Sequence, residues 1–211
     1  MRLWIFDLDG TLVDTSGDIV LAAGRLLEEH GRPPMDRDDV MRHVGFGTPH
    51  LVAALLGLPL LDPLVPAAAA RFVEIYSEDP TGRSAVYPGT AETLDRLSSR
   101  DRLAVVSNKA GPLVRATLEA VHMARLFAFA WGGQEFGRLK PAPDGLLMAM
   151  ALSQIPAAQT TMVGDMPMDV RAGRDAGVRT LFAEYGFGRL GPEDPVPDGT
   201  LDSLPRILEW S

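Results

Sequence analysis

Four short segments of this chain hold residue types that can do chemistry. Asp7-Leu8-Asp9-Gly10-Thr11 sets two carboxylates two residues apart, directly after an apolar run. An Asp-Gly turn is the alternative reading, but the next stretch of chain has a helical pattern and not that of a hairpin's second strand. Ser107-Asn108-Lys109 comes after another apolar run and offers a hydroxyl suited to a phosphate oxygen or to a helix N-cap. Lys140-Pro141-Ala142-Pro143 frames one lysine with prolines, either to aim its ammonium or as a loop before a proline-started helix. Gly164-Asp165-Met166-Pro167-Met168-Asp169 carries two acids four apart, a helical spacing that brings both to one side of a turn or places acids at a helix start. Singly, each segment is ambiguous. Together they supply four acids, a hydroxyl and a lysine. Clustered carboxylates repel one another unless a cation joins them, and hard oxygen donors without His or Cys point to Mg²⁺. A lysine and a hydroxyl beside such a site would neutralise and orient a phosphoryl group. The chemistry implied is phosphoryl transfer.

The elements that must position these groups are legible as continuous apolar runs at 3–6, 103–106, 126–131, 161–163 and 178–183. Continuous rather than alternating hydrophobicity suits strands buried on both faces of a parallel sheet. Helical patterns at 91–99, 112–121, 143–152 and 168–176 lie between the runs, the last stopped by Gly177. Such alternation predicts an α/β fold with a doubly wound parallel sheet. In an open sheet of this kind ligands bind outside the carboxyl ends of the strands, where each of the four segments falls. The interval 15–85 breaks the rhythm with three helical stripes and no strand: Ile19, Val20, Ala23, Leu26 and Leu27; then Leu51, Val52, Leu55 and Leu56; then Phe72, Val73 and Tyr76. It is too long for an ordinary βα loop of about 2–6 residues. A separate α-helical domain over 15–85 is expected, inserted into a core made of 1–14 and 86–211, with Tyr87-Pro88-Gly89-Thr90 as the return hinge.

Composition narrows the function further. The 211 residues are 46% hydrophobic and 23% charged with a net charge of −8, an ordinary globular balance. An acidic chain with no basic run argues against a nucleic acid or an anionic membrane as partner. Cysteine is absent, which removes disulfides, thiol nucleophiles and cysteine zinc sites, and the four histidines stand at no ligand spacing. The start reaches Asp7 too early for a signal peptide, and no apolar run approaches the roughly 20 residues of a membrane span. A cytoplasmic monomer or homodimer acting on a small phosphorylated metabolite is the expectation. Of the 20 basic residues only Lys109 and Lys140 are lysines. A bias toward arginine explains the rest but not why both lysines fall in motif segments, and a buried phosphate site favours a compact ammonium. For Lys109 no role is assigned.

In order and spacing, Asp7-Leu8-Asp9-Gly10-Thr11, Ser107, Lys140-Pro141 and Gly164-Asp165 with Asp169 resemble the four motifs of the haloacid dehalogenase superfamily over nearly the whole chain. The insertion resembles that superfamily's α-helical cap on a Rossmann-like core. Val44-Gly45-Phe46-Gly47, Tyr87-Pro88-Gly89, Ser107-Asn108-Lys109 and Tyr185-Gly186-Phe187-Gly188 resemble its phosphoglycolate phosphatase group. The resemblance implies that Asp7 attacks phosphorus and that Asp9 serves as acid and then base. It implies Mg²⁺ held by Asp7, the Asp9 carbonyl and Asp165, with Asp169 behind them holding a metal-bound water or Lys140. Ser107, Asn108, Lys140 and backbone N–H groups near Leu8 and Asp9 would hold the phosphoryl oxygens, and Thr11 would orient Asp9 or cap a helix. Gly45, Phe46 and Gly47 in the cap loop are the candidates for substrate discrimination. The leading substrate is 2-phosphoglycolate; a pyrophosphatase, nucleotidase, sugar-phosphate phosphatase or phosphomutase are alternatives. Asp9 weighs against a dehalogenase, and the lysine-free interval 15–85 against a phosphonate-cleaving relative. A phospho-accepting regulatory module is the non-catalytic alternative. Trp4, Trp131, Met150, Met162, Met166 and Phe187 are expected in the core and Arg83 on the surface.

Overall fold

The computed structural model describes residues 1–133 and 135–211. The apolar runs form a six-stranded, wholly parallel sheet of β1 (Leu3–Phe6), β4 (Arg102–Val106), β5 (Phe129–Trp131), β6 (Thr160–Gly164), β7 (Arg179–Ala183) and β8 (Gly199–Leu201). Their spatial order is β5-β4-β1-β6-β7-β8, with β1 central and all four of its side chains fully buried. The chain steps outward from β1 through β4 to β5, then returns to the other side of β1 for β6. The reversal puts a topological switch point beside β1, where an open α/β sheet binds its ligand. Helices α5 (Thr90–Ser98), α6 (Gly111–Ala120), α7 (Asp144–Ser153) and α8 (Pro167–Asp175) cover the two faces. Trp4, Leu97, Val105 and Leu118 belong to one apolar layer; Leu3, Ile5, Leu146 and Ala172 belong to the other. This is the doubly wound fold expected.

Two details depart from the sequence reading. The segment after the first acids does not pass straight into a helix. Val13–Asp14 form a two-residue strand, β2, which pairs antiparallel with β3 (Ala85–Val86). β8, with only three residues, gave no recognisable apolar run.

Between β2 and β3 lie α1 (Ser16–Glu29), α2 (Arg37–Met41), α3 (Thr48–Leu56) and α4 (Val65–Ser77). The expected stripes become their inner faces. Ile19, Leu26, Leu55, Phe72 and Tyr76 pack into one cluster that also receives Ala110 and Leu113 from the start of α6. α2, with a single buried residue, offered no stripe to read. Beside the ribbon, the buried Asp18 accepts the Arg83 N–H at 2.9 Å and the Ser84 hydroxyl, tying the first turn of α1 to the segment that leads into β3. Arg83 is exposed, as expected, but its backbone makes this tie. Among the described residues no helix is long and apolar enough to cross a membrane.

Candidate active site

Strand register brings the candidate residues to one rim. Phe6 lies opposite both Val105 and Val163, so Asp7, Ser107 and Asp165 leave the sheet at nearly one level. The Asp7 N–H extends the ladder by donating to Val163 O at 2.9 Å. The chain then wraps the Leu8 carbonyl, which accepts N–H groups from Leu12 at 3.0 Å and Val13 at 3.2 Å. This tight turn requires φ +80° at Gly10, and a Cβ there would lie 2.3 Å from an Asp165 oxygen. Only glycine fits.

Asp7, Asp165 and Asp169 are all buried and offer carboxylate oxygens within 4.8 Å of one another. Burial, reinforced by Asp169 and Asp9 against the opposing pull of Lys140, pushes Asp7 up to about 6. Burial, then Asp7 and Asp169, pushes Asp165 up to about 8. These shifts are the electrostatic signature of carboxylates packed together out of water. Thr11 donates to Asp165 Oδ1 at 2.8 Å, and the Phe187 N–H to Oδ2 at 2.8 Å. With the Gly188 N–H also donating to Oδ2 at 3.3 Å, Asp165 is aimed by three donors from two loops. Thr11 does not orient Asp9 as expected; Thr15 does, its hydroxyl donating to Asp9 Oδ1 at 2.7 Å. Nothing in the sequence marked Thr15, whose proximity to Asp9 depends on the intervening turn. Phe187 was expected as plain core, but it is half-buried and lines the cavity, and its amide serves the acid. Met166 also lines that cavity. Trp4, Trp131, Met150 and Met162 contribute to the apolar layers, as expected.

Lys140 stands among these acids, 2.7 Å from Asp169 Oδ1 and 3.2 Å from Asp7 Oδ1. It is 3% exposed. Burial opposes its charge, but Asp169 and Asp7 overcome that and raise its pKa. These contacts fall outside hydrogen-bond angles, which leaves the buried Nζ with donors to offer a ligand. Asp169 spends its other oxygen on the Met166 N–H at 2.9 Å, at the start of α8. The Asn108 carboxamide, expected at the phosphate, is instead a bracket. It donates to Gly45 O at 2.8 Å and Lys140 O at 2.9 Å, and accepts from the Lys140 N–H at 2.9 Å. Its side chain has no capacity left for a phosphoryl oxygen; it fixes the backbone that carries Lys140. Ser107 is buried, its hydroxyl accepts the Lys109 N–H at 3.3 Å, and it pulls the Asp7 pKa down against burial.

A second lysine completes the rim. Lys109 Nζ donates to Asp9 Oδ1 at 2.9 Å and to the Tyr76 hydroxyl at 3.0 Å, and lies 4.2 Å from the centre of the Tyr76 ring. Burial disfavours its charge, but Asp9 and Tyr76 outweigh that and raise its pKa. Tyr76, read in sequence only as part of a helical stripe, thus carries α4 into the site. Over the rim lies a cavity of about 250 Å³. Its lining runs from Asp7, Asp9, Ser107 and Lys109 to Ile19, Leu51 and Phe72. The loop Gly45-Phe46-Gly47 closes another side, with both glycines at positive φ and Phe46 45% exposed.

The arrangement fits a divalent cation. The donors are hard oxygens, they are buried together, and burial and the neighbouring carboxylates raise the pKa values of Asp7 and Asp165, a penalty that a cation would offset. Asp7, Asp165 and Asp169 each bring a carboxylate oxygen to this cluster, with Asp169 Oδ1 also ion-paired to Lys140.

Comparison with known proteins agrees with this geometry. The family model described as haloacid dehalogenase-like hydrolase matches residues 4–183. A phosphoglycolate phosphatase from Aquifex aeolicus (strain VF5) is 35% identical over 202 residues, covering 95% of this chain and 92% of that one. A plasmid-encoded phosphoglycolate phosphatase from Cupriavidus necator is 35% identical over 213 residues, covering 97% and 91%. A crystal structure of a predicted phosphoglycolate phosphatase from Haemophilus somnus 129pt superposes with a TM-score of 0.87 at 28% identity, covering 100% and 97%. CbbY from Rhodobacter sphaeroides, in complex with phosphate, gives 0.80 at 26%, covering 98% and 96%. The acids on β1 and β6, the lysine bracketed between them and a family match spanning the sheet from β1 to β7 lead to one conclusion: the chain belongs to the haloacid dehalogenase-like hydrolases, and it is an enzyme.

Proposed function

We propose that this phosphatase hydrolyses a small phosphate monoester, 2-phosphoglycolate first among them, through a phosphoenzyme formed on Asp7. The observation that carries the reading is the division of labour between two acids two residues apart. Asp7 is buried beside Lys140 at 3.2 Å, as a nucleophile toward an anionic group must be. Asp9 has Oδ1 held by Thr15 and Lys109, and among the described residues Oδ2 has no partner. That oxygen is the one to give a proton to the departing alkoxide and later to take one from water. Lys140 and Ser107 neutralise and orient the phosphoryl oxygens, and Asp169 holds Lys140 in place. Mg²⁺, held by Asp7 and Asp165, would supply positive charge to the phosphoryl group and allow the acids to stay ionised. The insertion 15–85 acts as a cap domain over the core 1–14 and 86–211, its helices and the Gly45 loop excluding bulk water from the cavity. The substrate reading is supported by the names borne by the relatives from Aquifex and Cupriavidus. A cytoplasmic location and a monomer or homodimer complete the proposal.

The test is a hydrolysis panel of phosphate monoesters with Mg²⁺ or with chelator, run on the wild type and on Asp7→Asn. Hydrolysis should need Mg²⁺, and Asp7→Asn should lower it by on the order of a thousandfold or more without unfolding the protein. Retention of phosphatase activity in the folded variant would overturn the assignment of Asp7.

A further inference from the structure

Lys140 has a place in the proposed chemistry, whereas Lys109 so far only steadies Asp9. Lys109 is 8% exposed, lines the cavity, and pairs with Asp9, which is not one of the three clustered acids Asp7, Asp165 and Asp169. An ammonium has three N–H donors. Two are spent, on Asp9 Oδ1 and on the Tyr76 hydroxyl; among the described residues no third acceptor meets it. The cavity walls near it are apolar, Ile19, Leu51, Phe72 and Leu113. Arg42, the other strong cation on that lining, has a 72% exposed side chain paired with Asp39. The first turn of α3 also starts on this lining at Gly47 and Thr48, and its leading N–H groups have no partner within the helix.

We infer that Lys109 is a specificity-determining residue that receives a carboxylate on the substrate's leaving group, with Tyr76 holding the ammonium in place. This rests on the phosphatase reading and deepens it. Asp9 must reach the ester oxygen, and Lys109 lies one hydrogen bond beyond Asp9 at 2.9 Å. An anion on its third donor is then separated from that oxygen only by the Asp9 carboxylate and hydrogen bonds on either side of it. Such closeness favours a carboxylate carried near the ester over an anion at the far end of a long leaving group. The substrate class is a short phosphorylated hydroxy acid. The ammonium gives a carboxylate on the leaving group a partner that an uncharged group of equal size lacks, which makes the latter the poorer substrate.

The test compares kcat/KM for 2-phosphoglycolate and ethyl phosphate, which has a methyl in place of the carboxylate, in wild type and Lys109→Met with Mg²⁺. Both rates fall in the variant because Asp9 loses a partner; the readout is their ratio. The preference for phosphoglycolate should drop at least thirtyfold. Losses equal within threefold would show that Lys109 serves Asp9 alone and overturn the inference. Tyr76→Phe keeps the ring and removes one acceptor, so it guards against a misfolded Lys109→Met. It should lower the same ratio about fivefold, chiefly through KM for phosphoglycolate, and an unchanged ratio there would also count against the assignment. Hydrolysis of neither ester by the wild type would overturn the phosphatase reading itself and this inference with it.

Discussion

Replacing Lys140 by methionine keeps the length of the side chain and removes its charge. Its Nζ lies 2.7 Å from Asp169 and 3.2 Å from Asp7, with 3% of the residue exposed. The substitution therefore leaves buried carboxylates facing one another with no cation. Breaking a buried pair by removing one partner costs about 3–5 kcal/mol. In a domain of this size each kcal/mol moves the midpoint by about 2–4 °C, so the melting temperature should fall by roughly 10 °C. The assay is thermal denaturation at pH 8 with chelator, above the value of about 6 that Asp7 has when folded; at pH 5 Asp7 takes up a proton and the loss should shrink. Mg²⁺ should restore part of the difference by supplying the missing charge. Phosphatase activity should be lost even where the fold survives. A double-mutant cycle with Asp169→Asn isolates the pair, since asparagine keeps an acceptor for the Met166 N–H seen at 2.9 Å. The two losses should fall short of additive by about 1 kcal/mol or more. A Lys140→Met midpoint within 2 °C of wild type at pH 8, or strictly additive losses, would refute the idea that this ammonium neutralises the acids.

The metal-free protein should lose stability as pH rises. Asp7 and Asp165 sit at about 6 and 8 when folded, above the ordinary 3.8; a folded pKa raised above the unfolded one favours folding below about pH 4 and loses that contribution through pH 6 to 8. Melts in chelator across this range should slope downward and flatten with Mg²⁺; identical flat curves would contradict it. Gly10→Ala should cost at least about 2 kcal/mol from left-handed strain and overlap, because its Cβ would meet Asp165 Oδ2 at 2.3 Å and Phe187 at 2.9 Å; a variant with wild-type midpoint and activity would show the turn to be a yielding one. Asn108→Ala removes three hydrogen bonds around Lys140 and Gly45. It should reduce kcat on the order of tenfold or more by displacing that lysine, and an unchanged kcat would show the bracket to be dispensable.

Much of the molecule is legible in its order of residues because long-range geometry here is carried by simple periodicities. Runs such as Leu-Trp-Ile-Phe at 3–6 are apolar throughout since both sheet faces are covered, and the acids stand out because they interrupt such runs at their ends. Whatever depends on which loops meet is not legible. Thr11 and Thr15 flank one turn, and only its wrapping decides that the first reaches Asp165 and the second Asp9. Asn108 looks like a phosphate ligand until Gly45 and Lys140, 63 and 32 residues away, are seen to occupy its amide. Tyr76 reads as one more apolar position on α4, because a hydroxyl at the edge of a stripe leaves the period unchanged. Short elements such as α2 and β8 bury too little to leave a pattern.

The two-residue ribbon of β2 and β3 sets the terms on which such a chain can diversify. Departure and return of the whole insertion pass through paired neighbours, Val13 with Val86 and Asp14 with Ala85, which lie one strand spacing apart, about 5 Å. Any helical segment whose ends meet at that distance could be grafted there without disturbing a single pairing of the central sheet. Acids and Lys140 would stay where they are while the walls above them, and the Tyr76 that steadies Lys109, were exchanged. The acids and Lys109 would then be inherited with the core, and the walls that shape the cavity above them with the insertion.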